Sequence, residues 1–217
     1  MLKRKVLETI YKRLYRAYGP QHWWPADSAF EVMVGTVLTQ NTAWKNVEQA
    51  IANLRHGNYL DVHRLLSLSP SNLARLIRPS GYFNIKAQRL RNLCLWVEAR
   101  GGIKALAQQD TSSLRSALLT INGVGPETAD DILLYAFDRP VFVIDIYTRR
   151  LFARLGLITG GEPYETLRGY FEAALPADVP LYNEYHALIV RHAKERCLVP
   201  EQCRHCRVEM PLKAVKG

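Results

Sequence analysis

Apolar residues recur at helical spacing along almost the whole chain. Leu2, Val6, Ile10 and Leu14 fall four apart, with Lys3, Lys5, Lys12 and Arg13 between them. That pattern predicts an amphipathic helix stopped near Gly19-Pro20. Phe30 to Leu38 is apolar nearly all round, as in a helix buried on every side. Val47, Ile51 and Leu54 continue the period, and segments 61–68, 71–77, 84–99 and 111–119 read as short helices separated by Gly, Pro and Ser. Ile132 to Phe137, Arg149 to Leu157, Tyr164 to Ala174 and Leu181 to Arg196 complete the series. Val141-Phe142-Val143-Ile144 is the one strand-like run. Four apolar residues do not separate a strand from a buried, extended lead-in to a helix. There is no repeat array and no low-complexity tract. The expected class is all-α, with many short helices and short connections.

Composition narrows the partners more than the fold. The 217 residues are 48% hydrophobic and 23% charged, which suits a folded chain of one large or two small domains. Lys+Arg is 29 against Asp+Glu 20, a net charge of +9. A compact chain this basic points first to a polyanion such as nucleic acid, with plain solubility charge as the alternative. No apolar stretch reaches the ~18 residues of a membrane span, and the basic, amphipathic start does not read as a signal peptide. Three of the four cysteines crowd near the C-terminus. That usage fits a metal or cluster site in a reducing cytoplasm better than a disulfide framework.

Two short stretches carry chemistry. In Leu119-Thr120-Ile121-Asn122-Gly123-Val124-Gly125-Pro126-Glu127-Thr128-Ala129 one helix ends, a Gly-Val-Gly turn follows, and a new helix starts at Pro126, the favoured first position. Gly123 and Gly125 allow a positive φ and a close backbone approach. The N–H groups of such a turn form an anion nest suited to a DNA phosphate, and Val124 can plug the hairpin into the core. The second stretch is Asp145, which follows Val141–Ile144 and precedes a helical run. An Asp there is a natural N-cap, and the helix N-terminus favours its ionised form.

With LTINGVGPETADDILLYAF and VFVIDIYTRRLFARLGL, the chain resembles the helix-hairpin-helix DNA glycosylases of the endonuclease III superfamily. The resemblance runs back through VGTVLTQNTAWKNV and IRPSGYFNIKAQRLRNL and forward to HALIVRHAKERC. It implies two helical lobes with a cleft between them. One lobe is expected from 28–137 with the hairpin, the other from 1–27 plus 138–217 with the cysteine loop. The residue matching the family's catalytic carboxylate is Asp145. A fixed anion there would stabilise the oxocarbenium-like sugar as the base leaves, and could orient or deprotonate the attacking water. Where endonuclease III has a lysine that forms a Schiff base, this chain has Glu127, and no lysine lies between Lys104 and Lys194. A carboxylate forms no Schiff base, so the expected enzyme is monofunctional and leaves an abasic site. Glu127 can equally be a first-turn acid favoured by the helix dipole.

Trp23-Trp24-Pro25, and Trp44 after Thr39-Gln40-Asn41-Thr42, suggest aromatic walls for a flipped base. Each tryptophan, Trp23 above all, could also be ordinary core. Indole faces favour a cationic guest by about 0.5–2 kcal/mol. WWP followed by VLTQNTAW resembles the 3-methyladenine glycosylase branch, which implies an alkylated purine in double-stranded DNA as substrate. The rival readings are a bifunctional lyase, a mismatch adenine glycosylase, for which the chain is short, and a non-catalytic hairpin binder. The resemblance places Gln40, beside Asn41, in the loop that inserts into the duplex. Tyr82 is a candidate for the opposite strand. Thr128, Lys86, Arg89, Arg149 and Arg150 are candidate DNA contacts, with surface charge as the default for each cation. Cys197, Cys203 and Cys206 follow His192, but Leu212 stands where the family's fourth cluster cysteine falls. Three thiolates do not complete a [4Fe–4S] loop. His192 or His205 could complete a Cys₃His zinc site, or the loop packs without metal, and the chemistry itself needs no cofactor. Cys94 reads as a buried core cysteine. A cytoplasmic monomer is the expected form.

Overall fold

Capping residues punctuate the chain. In the computed structural model, which describes residues 2–198, Ser28, Asp61, Ser69, Asp110, Asp145 and Asp178 each accept a hydrogen bond from the third amide of the helix they open. Each satisfies an N–H group that the helix leaves without a partner. All the regular structure among the described residues is helical, and no helix there is long and apolar enough to cross a membrane.

The chain divides into two compact units, one from Trp24–Arg139 and one from the described residues up to Trp23 and from Pro140 onward. In the central unit, α2 (Ala29–Thr39) is buried from Phe30 to Leu38, as its apolar pattern predicts. It packs on α3 (Trp44–His56), α6 (Phe83–Ala99) and α9 (Pro126–Ala136), while α4 (Val62–Ser67) and α5 (Pro70–Leu76) cover α6. A 3₁₀ turn at Arg78–Ser80 leads into α6. α7 (Gly102–Ala107) escapes the sequence pattern because six residues are too short to show a period. α8 (Thr111–Leu118) packs on α9, and the Arg115 guanidinium donates to both oxygens of the fully buried Asp130 at 2.6 and 3.1 Å, bracing the pair.

The other unit gathers α1 (Arg4–Tyr18), α10 (Ile146–Arg154), α11 (Tyr164–Ala174) and α12 (Val179–Arg196). Leu7, Ile10 and Leu14 form the buried stripe of α1, which ends at Gly19 with φ 68°. α12 packs on both α1 and α10, and the Tyr185 hydroxyl donates to the Leu7 carbonyl at 2.9 Å. Phe142 stacks on Phe171, with ring centroids 4.3 Å apart, and Tyr182 and Tyr185 meet Phe142 edge-on. Val141–Ile144 is buried and extended, but it is not a strand. Its Phe142 N–H donates to the Glu172 carboxylate at 3.0 Å and its Ile144 N–H to the Tyr164 hydroxyl at 3.4 Å. Side chains of α11 thus do what a neighbouring strand would have done.

Candidate functional site

In the unit that contains α10, the extended run delivers Asp145 to the helix N-terminus. The Thr148 amide donates to Asp145 Oδ1 at 2.7 Å, and His186 Nε2 on α12 lies 3.5 Å from Oδ2. Asp145 is buried. Burial pushes its carboxyl up, but His186 and the Thr148 hydrogen bonds outweigh it, so the group sits below the usual carboxylate value. A buried carboxylate fixed on two sides is suited to stabilising positive charge that develops beside it. The sequence does not single out His186, because a buried histidine on an apolar helix face looks like core. The neighbouring first-turn residue Tyr147 has Lys194 Nζ 5.1 Å and Arg150 Cζ 5.5 Å from its ring centroid. Arg149 instead donates to the Gly160 and Glu162 carbonyls at 3.2 and 2.7 Å, so it secures its own loop.

In the central unit the hairpin has the expected outline, with one change. Only Gly123 uses a positive φ, 97°. A Cβ there would lie 2.3 Å from Arg89 Cγ, so the glycine is needed to let Arg89 cross the turn. Gly125 is extended and exposed, and a Cβ on it would meet nothing within 4 Å. Its openness leaves the backbone accessible to a ligand. Val124 is buried, as a plug should be, and Pro126 opens α9. Glu127 is exposed in the first turn of α9. Thr128 is buried and accepts from Gln40 Nε2 at 3.0 Å, and the same nitrogen donates to the Gly123 carbonyl at 3.0 Å. Arg89 Nη1 donates to Gln40 Oε1 at 2.5 Å. The candidate inserting side chain is therefore folded onto the hairpin, held at both ends of its amide.

Trp24, Trp44 and Tyr135 form an aromatic cluster in this unit. Trp24 and Trp44 meet at 5.2 Å with planes 87° apart, and Trp24 and Tyr135 at 5.5 Å. The two indoles are thus edge to face, the arrangement their quadrupoles favour. Gly35 makes room for the cluster, since a Cβ there would lie 2.8 Å from Trp24 Cζ2. Tyr135 was hidden in the sequence by the apolar run around it. Trp23 is half-buried and ends the other unit's first segment, and Pro25 is exposed.

Asn41 and Tyr82 both take left-handed backbone, with φ 53° and 45°. Tyr82 is 68% exposed. With Gln40, Ile85, Lys86 and Arg89 they line a pocket of about 270 Å³. Lys86 is not the surface cation that the sequence suggested: it is 1% exposed. Cys94 is a core cysteine whose thiol burial raises to about 12. Cys203, Cys206, His205 and Leu212 lie outside the described residues. Cys197 is buried just past α12, and the His192 ring meets the Tyr18 hydroxyl through Nδ1 at 2.9 Å.

A helix-hairpin-helix, an all-helical body and an aspartate capping the next helix along the chain define a class of DNA repair protein. Residues 34–177 match the HhH-GPD superfamily of base excision DNA repair proteins, and the chain belongs to that family. It is 48% identical over 210 residues to a Methanocaldococcus jannaschii protein that carries the name of a DNA repair glycosylase, covering 95% of this chain and 96% of that one. Endonuclease III of Thermotoga maritima is 28% identical over 193 residues, 88% of this chain and 84% of that one. Among solved structures, the 3-methyladenine DNA glycosylase MagIII of H. pylori, bound to 1,N6-ethenoadenine, superposes with a TM-score of 0.75 at 28% identity, covering 91% of this chain and all (100%) of that one. A non-covalent endonuclease III–DNA complex shares the fold, with a TM-score of 0.80 at 19% identity over 99% and 95% of the two chains.

Proposed function

We propose that this DNA repair glycosylase is monofunctional and hydrolyses the N-glycosidic bond of an alkylated purine, such as 3-methyladenine, in duplex DNA. The observation that carries the reading is Asp145, a carboxylate kept ionised by a helix N-terminus and His186. Its charge stabilises the sugar cation as the base departs, and an oxygen orients the attacking water. N-alkylated purines carry positive charge and leave readily, so the reaction asks little of a general acid. The electron-rich cluster of Trp24, Trp44 and Tyr135 supports a cationic guest, as does the likeness to MagIII. Glu127 at the hairpin position supports hydrolysis without strand cleavage.

A second reading, cleavage of the abasic strand, has one observation behind it. Lys194 stands close enough to Asp145 to feel its charge, and burial lowers its ammonium below the ordinary lysine value despite that carboxylate. An amine so lowered is a better nucleophile at neutral pH. The deciding experiment incubates the protein with duplexes bearing 3-methyladenine, 1,N6-ethenoadenine or an oxidised pyrimidine, with and without borohydride. The proposal expects release of the alkylated purine, a strand that breaks only on adding alkali, and no trapped adduct. Release of oxidised pyrimidines alone overturns the substrate class. A borohydride-trapped adduct that disappears in Lys194→Met establishes the second reading instead.

A further inference from the structure

Lys86 is the one fully buried lysine among the described residues, and the chemistry above does not use it. Its ammonium faces only neutral oxygens. Nζ donates to the Leu38 carbonyl at 2.7 Å, the Thr42 hydroxyl at 2.6 Å and the Ser80 carbonyl at 2.7 Å. Three acceptors at these lengths use all three N–H bonds of an ammonium. The Thr42 hydroxyl in turn donates a hydrogen bond to the Ser80 carbonyl at 2.5 Å, closing the set. Burying a cation without a carboxylate is expensive, so the arrangement calls for a reason other than stability.

The acceptors supply that reason. Leu38 and Thr42 flank Gln40 and Asn41, where α2 ends and the chain turns through the left-handed Asn41. Ser80 closes the 3₁₀ turn that leads into the left-handed Tyr82. One ammonium therefore ties down both sides of the first corner and the approach to the second, and these corners line the same pocket. Left-handed backbone at non-glycine residues persists only where the surroundings hold it. We infer that Lys86 is a positioning residue for damaged-DNA recognition: it locks the Gln40–Asn41 and Tyr82 corners into one rigid jaw, so that both meet a distorted duplex in fixed register with the hairpin. The inference rests on reading the chain as a duplex-binding repair protein and not on which base it removes.

The state of the ammonium gives a signature. Burial, reinforced by the nearby Arg89 guanidinium, lowers Lys86 to about 8. The unfolded lysine titrates near 10.4, so between roughly pH 8 and 10.4 the unfolded chain binds more protons. Lys86 thus makes stability rise with pH in that window. Loss of one N–H bond in the same window loosens the jaw. Recognition falls while stability rises, whereas a lysine with no part in recognition would leave the preference unchanged across that window.

The test compares binding to a duplex containing a tetrahydrofuran abasic analogue with binding to the same duplex undamaged, which requires no excision. In Lys86→Met, preference for the analogue should fall about tenfold while undamaged affinity stays within about twofold, the scale of one lost charged hydrogen-bond set. The wild-type preference should decline above pH 8, and the decline should be absent in Lys86→Met. If Lys86→Met does not fold by circular dichroism, Thr42→Val takes its place and should lower the preference severalfold. An unchanged preference in a folded variant, or an alkaline decline that persists in Lys86→Met, overturns the inference. So does a wild type without preference for the analogue. Failure to excise alkylated purines, with these binding results intact, would sink the proposed substrate and leave the jaw standing.

Discussion

Two buried charges, Asp145 in one unit and Lys86 in the other, are held differently. Asp145 sits among partners that carry positive character, the first-turn amide of α10 and His186. Lys86 sits among neutral oxygens, two of them backbone carbonyls. The first environment keeps a charge strongly ionised and electrostatically active, which is what a developing cation needs beside it. The second spreads one charge over three pieces of backbone, which does little chemistry and fixes geometry. On the proposed reading the two divide the labour: one buried charge for reaction, one for placement.

The sharpest way to break this comparison is Asp145→Asn. The amide keeps the cap but loses the charge, so single-turnover base release should become undetectable, a loss of about a thousandfold or more. DNA affinity, measured by fluorescence anisotropy, should stay within a few-fold. Normal turnover would put the reacting charge elsewhere. Next comes Asp130→Ala, which leaves the guanidinium of Arg115 without its buried partner beneath the hairpin. Chemical denaturation should register a loss of about 3–5 kcal/mol; a loss below about 1 kcal/mol would mean that the α8–α9 brace is not structural.

Trp24→Ala and Trp44→Ala probe the aromatic cluster, at roughly 1–3 kcal/mol each in single-turnover excision. Cationic 3-methyladenine should suffer more than a neutral lesion, which lacks the cation–π attraction. Equal losses would reduce the indoles to shape or core. The smallest effect is on pH. Asp145 lies below the ordinary value of 3.8, so base release should hold steady as pH falls until below about 4. The stability it contributes is present above the unfolded value and lost only as pH falls through the lower folded one. His186→Gln removes the main stabilising neighbour of the carboxylate, and the acid limb of the rate profile should move to higher pH. An unmoved limb would show that His186 does not hold Asp145 ionised.

The parts of the molecule legible in sequence are those decided within a few residues. The stripe of α1, the all-round burial of α2, the Pro126 start of α9 and the Asp145 cap each depend on local spacing and short-range hydrogen bonds. The short α7 was lost for want of length. Tyr135 and His186 were missed because a polar-tipped residue inside an apolar run looks like core until its neighbour from another helix is known. The position of Gln40 just past α2 is local, but its place on the hairpin, 83 residues away along the chain, is not.

By itself the sequence determined the helices, the hairpin and the capping carboxylate, because helix period, proline, glycine and N-cap chemistry act over one or two turns. The tertiary structure alone decided what the isolated charges and the ambiguous run became. Val141–Ile144 stayed extended without a sheet because Glu172 and Tyr164 reached its amides. Lys86 became a buried tie and not a surface cation because three oxygens from separate turns converged on it. Desolvation is decided by what surrounds a group on all sides, and a linear pattern carries no record of neighbours that arrive from far along the chain.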